Sequence, residues 1–238
     1  MSMKLRLLSS GIALLAIGVS WHVFGASPDT SGSCTDQKSV WCIAPRDKGE
    51  IDTLYGATVP KLATPAWFAP KAPVIKTVTY SFTTKGVVTA NMDEFRSVVA
   101  ATLNDSRGWT RLGVAFEVVD SGGDFTVYLA NAAELPSFHP VCDTFTSCSI
   151  GRNIVINQDR WVGGAPAWNN AGGDLTGYRQ YVINHEVGHW LGHGHRTCQA
   201  SGQPSPLMQQ QTLNLNGCVP NPWPLTSEMY SPSLGIRS

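Results

Sequence analysis

His185, Glu186, His189, Gly192 and His195 stand in the order H-E-x-x-H-x-x-G-x-x-H. In a helix of 3.6 residues per turn, His185 and His189 lie one above the other and can reach a single ion. Glu186 is turned about 100° away, poorly placed as a third ligand but able to reach a water on the metal. It is the candidate general base. Gly192 is where the helix should stop, because left-handed backbone there costs little only for glycine. The chain can then reverse and bring in His195. Three neutral imidazoles with one open position form the ligand set of a catalytic zinc ion, whose bound water has a pKa of about 7. Zn2+ is therefore the expected cofactor, although other divalent ions accept three imidazoles. With this chain's own residue frequencies, the five fixed positions arise by chance in about one chain in 100,000. The alternative to hydrolysis is a degenerate or purely structural metal site.

His193 competes with His195 for the third ligand position if the helix continues. Gly192 and Gly194 flank it and argue against that, which leaves His193 as a neighbour of the site or an exposed residue. Downstream, Met208 follows Pro206 and Leu207. A lone Met is ordinarily core filling.

The long motif with a Met in a following turn resembles the metzincin clan of zinc endopeptidases, and the resemblance makes Met208 the Met-turn residue. A closer likeness lies in residues 178–184, the metal motif, residues 208–212 and residues 217–224. These resemble an uncharacterised actinobacterial domain family regarded as metzincin-like metallopeptidases of the cell envelope. Residues 107–110, 152–157 and 160–161 are similar too, so the resemblance covers about residues 75–224. It implies a zinc site and an extracytoplasmic location, and supplies no substrate. There are departures from better-known metzincins. Arg196 follows the third His, Gln210 stands where some members have a metal-binding Tyr, and the Pro-rich chain after Met208 is short.

The elements that must position these residues begin near Val74. Residues 74–83 alternate through Val78, Tyr80 and Phe82 and read as a strand. Residues 91–105 read as a helix, with Asn91 as N-cap, Asp93 and Glu94 in the first turn, and Phe95, Val98, Val99, Thr102 and Leu103 on one face. Residues 114–119 and 125–130 read as strands joined by Asp120-Ser121-Gly122-Gly123, a hairpin-like or bulged turn. Residues 153–157 form a short strand. Asp174 or Thr176 caps the motif helix, which runs to about Leu191. The resemblance implies an α+β, metzincin-like (zincin) fold: a mixed twisted sheet backed by two main helices, with a short Pro-rich C-terminal subdomain. An extended substrate would pair with an edge strand beside the cleft, at residues 125–130 or 153–157. Trp161, Trp168, Tyr178 and Tyr181 read either as core packing for the motif helix or as a subsite and a phenol near the oxyanion. Arg179 is placed to pair with a carboxylate.

At 238 residues one folded domain is expected. Charged residues are 14% and the net charge is +0, so a basic nucleic-acid footprint is excluded. Lys4 and Arg6, the apolar run from Leu7 and the small residues Gly25, Ala26 and Ser27 make residues 1–26 a cleaved signal peptide or a retained membrane anchor. Residues 27–73 carry Pro28, Pro45, Pro60, Pro65, Pro70 and Pro73 and read as a linker or as a propeptide covering the cleft. Residues 74–238 are the expected peptidase domain. Six cysteines in an exported chain point to disulfides, and local spacing favours Cys34–Cys42, Cys142–Cys148 and Cys198–Cys218. The alternative for Cys34 or Cys42 is a thiolate capping the zinc.

The expected function is a secreted or envelope-tethered zinc endopeptidase, monomeric, acting on an extended polypeptide. A non-catalytic, zinc-stabilised envelope binding module is the alternative. An amidase acting on peptidoglycan cross-links is less consistent with the extended motif, and no G-x-S-x-G signature supports a serine hydrolase.

Overall fold

The computed structural model describes residues 73–237. The targeting segment, the linker through residue 72 and the Cys34–Cys42 pair lie outside the described residues.

Five strands form one sheet in the order β2-β1-β3-β5-β4. β1 (Lys76–Lys85) buries Val78 and Tyr80. β2 (Val114–Val118), β3 (Phe125–Ala130) and β5 (Asn153–Asn157) run parallel to it or to one another. β4 (Cys148–Ile150) alone is antiparallel, paired with β5. Parallel strands need covering, and helices supply it. α1 (Met92–Leu103) starts at Asn91, whose side chain accepts from the Asp93 and Glu94 amides. It buries Phe95, Val99, Thr102 and Leu103. Asn104, just past its end, bonds both the carbonyl and the amide of Phe116 and so ties α1 to β2. Two short helices, α2 (Gln158–Gly163) and α3 (Pro166–Asn170), lead to the long α4 (Leu175–Trp190). α4 packs against α1, β4 and β5.

Two expectations are corrected by the sheet. Residues 119–124 are not a hairpin turn. β2 pairs with the first half of β1 on one side, from Lys76 to Tyr80, and β3 pairs with its second half on the other, from Tyr80 to Lys85. The chain crosses β1 between them, where the Val119 amide donates to Tyr80 O at 2.8 Å and the Asp124 amide to Thr79 O at 2.7 Å. A Cβ on Gly123 would lie 2.8 Å from Thr79 O, so glycine permits this close crossing. Nor is β3 or β5 the free edge beside the cleft. The Cys142–Cys148 loop folds back and adds β4 outside β5. β4 therefore forms that rim.

The aromatic residues around α4 are core. Trp161, Trp168, Tyr178 and Tyr181 are buried, and Trp168 stacks on Tyr181 with ring centroids 5.4 Å apart. After α4 the described chain has one short 3-10 turn, Thr226–Glu228, and isolated bridges at Pro204–Val219 and Ser231–Ile236. A second disulfide joins Cys198 to Cys218. Two disulfides indicate an oxidising, extracytoplasmic setting. Among the described residues no helix is long and apolar enough to cross a membrane.

Candidate metal centre

α4 is built to carry ligands to one place. Asp174 caps it, accepting from the Gly177 amide at 2.6 Å. Trp109 reaches across the core and donates its indole N–H to Asn184 O at 3.0 Å, which fixes the helix one residue before His185. The helix closes in a Schellman motif. The Gly192 amide donates to His189 O and the His193 amide to Gly188 O, both at 3.0 Å, with Gly192 at φ +98°. The chain then turns back with His195.

One ring nitrogen from each of His185, His189 and His195 lies within 4.8 Å of the others. His189 Nε2 and His195 Nε2 are 3.1 Å apart. His185 Nδ1 is 2.9 Å from Leu207 O, and His189 Nδ1 is 2.9 Å from His193 O. A carbonyl only accepts, so in both rings the proton sits on Nδ1 and the Nε2 lone pair is left for the centre. Lone pairs converging at this separation are what a divalent cation satisfies, and the donor set fits zinc. Burial, reinforced by His189, pushes the His185 pKa down to about 3. Burial also lowers His189 and His195. All three favour the neutral, ligating form.

Glu186 faces the same space. It is 5% exposed, and burial alone pushes its pKa up to about 8. A carboxyl poised near neutrality suits proton transfer. The cavity at the centre, about 310 Å³, is lined by the three imidazoles, Glu186, Tyr181, Gln210, Thr212, Val141 and β4.

Met208 is fully buried in a turn whose Gln209 amide donates to Pro206 O at 3.0 Å. It packs beneath α4 at Gly188, where any Cβ would collide with the Met208 sulfur and stand 3.0 Å from Trp109. The Arg196 amide donates to Met208 O at 2.9 Å, joining the His195 loop to this turn. His193 is buried, stacked on Trp109, and contributes only its carbonyl to the centre. Tyr178 does not line the cavity itself and bonds Thr212 Oγ1, on the cavity wall, at 2.9 Å. Tyr181 donates to Gln209 O and accepts from the Gln211 amide. Arg179 pairs with Glu94 at 2.7 Å.

Sequence reasoning missed Gly188, the two backbone acceptors, β4 and the buried Glu228. Of these, only a glycine in mid-helix left a readable signal, since it costs about 1 kcal/mol unless close packing needs it.

A sheet-backed helix carrying His185, Glu186 and His189, with His195 brought in by the loop that follows it, makes a group that could hold a metal ion beside a buried carboxylate. Residues 69–225 match the DUF3152 family, described as proteins of unknown function, and the chain belongs to that family. No curated protein sequence matches it. Among solved structures, archaemetzincin from Methanopyrus kandleri is similar over 67% of this chain and 94% of its own, with 14% identity and a TM-score of 0.39. At that distance the likeness decides neither fold nor chemistry.

Proposed function

We propose that this chain is a secreted or envelope-tethered zinc endopeptidase, with residues 74–238 as a metzincin-like peptidase domain acting as a monomer on extended polypeptides. The observation that carries it is the meeting of three imidazoles and Glu186 in one cavity, beside the rim strand β4. His185, His189 and His195 would hold the ion. A bound zinc supplies a Lewis acid that polarises a carbonyl and acidifies water. Glu186 takes the proton from the attacking water and returns it to the leaving amine. β4 offers its outer edge to the substrate backbone, which gives main-chain hydrogen bonds with little demand on side chains. Gly192 and Met208 serve the geometry, one by turning the chain and one by filling the floor.

A second reading, a zinc-stabilised binding module, has one observation in its favour. Tyr181, the only phenol lining the cavity among the described residues, has both its donor and its acceptor engaged by backbone. It is not free to steady an oxyanion.

A diverse peptide library incubated with the zinc-loaded chain and with its Glu186→Gln variant separates the two. Cleavage by the parent alone is expected. Equal cleavage by the variant would refute Glu186 as base. No cleavage by either, with one zinc bound to each, would favour the binding module.

A further inference from the structure

We propose that Glu228 and Tyr230, both in residues 226–230, are the positioning residues of the metal centre, resting on the zinc reading of that site. His185 and His189 are oriented by backbone carbonyls, Leu207 O and His193 O, each 2.9 Å from Nδ1. Neither Leu207 nor His193 lies in a helix or strand. Both are held from behind by this one stretch, which follows the 69–225 family match.

Glu228 holds the first. It is fully buried, its Oε1 accepts from the Met208 amide at 2.9 Å, and its Oε2 accepts from the Leu207 amide at 2.9 Å and the Leu225 amide at 2.8 Å. Leu207 C=O and Met208 N–H belong to one planar peptide and point in opposite directions. Anchoring that N–H on Glu228 therefore aims the carbonyl at His185. Charge assistance makes these bonds stronger than neutral ones.

Tyr230 holds the second. Its carbonyl lies 2.8 Å from His193 Nε2, and its ring packs on the imidazole with centroids 4.4 Å apart. On another side the imidazole stacks on Trp109 at 5.1 Å. His193 Nδ1 is buried and has no partner among the described residues. A buried polar atom without a partner is costly, and an apolar ring would avoid that cost. The Nε2 donor to Tyr230 is what a His offers here. Ser231 Oγ and the Ser233 amide then bond Leu191 O, at the end of α4. Groups that hold the hydrogen-bond partner of a metal-binding imidazole in place fix ring orientation and ligand basicity.

The test compares the full chain with Glu228→Gln, His193→Phe and Leu234→Ala. Leu234 packs against the core just beyond that stretch, and its side chain bonds neither carbonyl-bearing loop. Zinc affinity is measured by chelator competition well below each Tm, and ligand geometry by the absorption bands of the cobalt-loaded protein. Glu228→Gln and His193→Phe are expected to weaken zinc binding by about 10- to 100-fold and to shift the cobalt bands. Leu234→Ala should lower Tm and leave both unchanged. If Glu228→Gln does not fold, His193→Phe, which keeps the stacked ring, carries the test. Unchanged zinc affinity and cobalt bands in the folded variants would overturn the proposal while leaving the zinc site standing. A parent that binds no zinc would remove both.

Discussion

Glu186 makes a quantitative prediction for the metal-free protein. Its folded-state pKa is raised from 4.5 to about 8, with burial as the cause. A raised carboxyl stabilises the fold while protonated, and that contribution is lost as pH climbs from the unfolded value through the folded one. Across that window the unfolded chain ionises freely and the folded one does not. The accumulated cost at pH 7 is roughly 3 kcal/mol, at about 1.4 kcal/mol per pH unit. Glu186→Gln keeps the shape and removes the ionisation. Chelator-stripped parent and variant are unfolded in urea at pH 5 and at pH 7. The variant should be the more stable by roughly 3 kcal/mol at pH 7 and by under about 1 kcal/mol at pH 5. Histidine titrations are common to both proteins and cancel in the difference. Added zinc should narrow the gap, because a cation nearby favours the carboxylate. A gap that does not change with pH, or a variant less stable at pH 7, would refute the desolvation argument.

Other outcomes follow from the same geometry. His185, held down to about 3 from 6.5 by burial, should cost the metal-free protein about 1.4 kcal/mol per pH unit as pH falls below 6.5. Acid titration of His185→Gln beside the parent shows whether that slope disappears. Replacing Cys198 and Cys218 together by Ser opens a 20-residue loop and should lower stability by about 3 kcal/mol in denaturant melts. An unchanged midpoint would mean the bridge constrains nothing in the unfolded chain. Gly188→Ala drives a methyl into Met208 and Trp109 and should cost about 1–3 kcal/mol, read as a lower Tm. A Tm equal to that of the parent would show that Met208 moves aside freely.

The parts of the centre set by helix period were legible as spacing. His185, His189 and the turn at Gly192 follow from 3.6 residues per turn and from glycine's freedom at φ +98°. Asn91 was legible as a cap because its side chain has the chemistry to accept orphan amides. The sheet order was not. Six residues rich in Gly between two strands look alike whether they fold back or cross β1, and only the close approach at Gly123 distinguishes them. β4 has three residues, too few for alternation to register. Leu207 O and His193 O act through the backbone, which every residue type supplies. Glu228 lies in a segment without periodicity, and its meaning depends on a turn about 20 residues earlier in the chain.

The crossing of β1 also bears on the order in which the protein assembles. Thr79 and Asp124, bonded at that crossing, are 45 residues apart. Every parallel pairing in the sheet must close a long loop before it is rewarded, which makes such sheets slow to form. α4 packs on this sheet, so the three imidazoles meet only after the slow step. In the unfolded chain, His185 and His189 offer at most a weak two-point grip on a cation. Refolding followed by Trp fluorescence should therefore proceed at the same rate with and without zinc, while unfolding slows when zinc is bound; faster refolding in zinc would contradict this. In kinetic terms, an ion held by the three imidazoles would act on how long the folded protein lasts, and the chain would reach that state unaided.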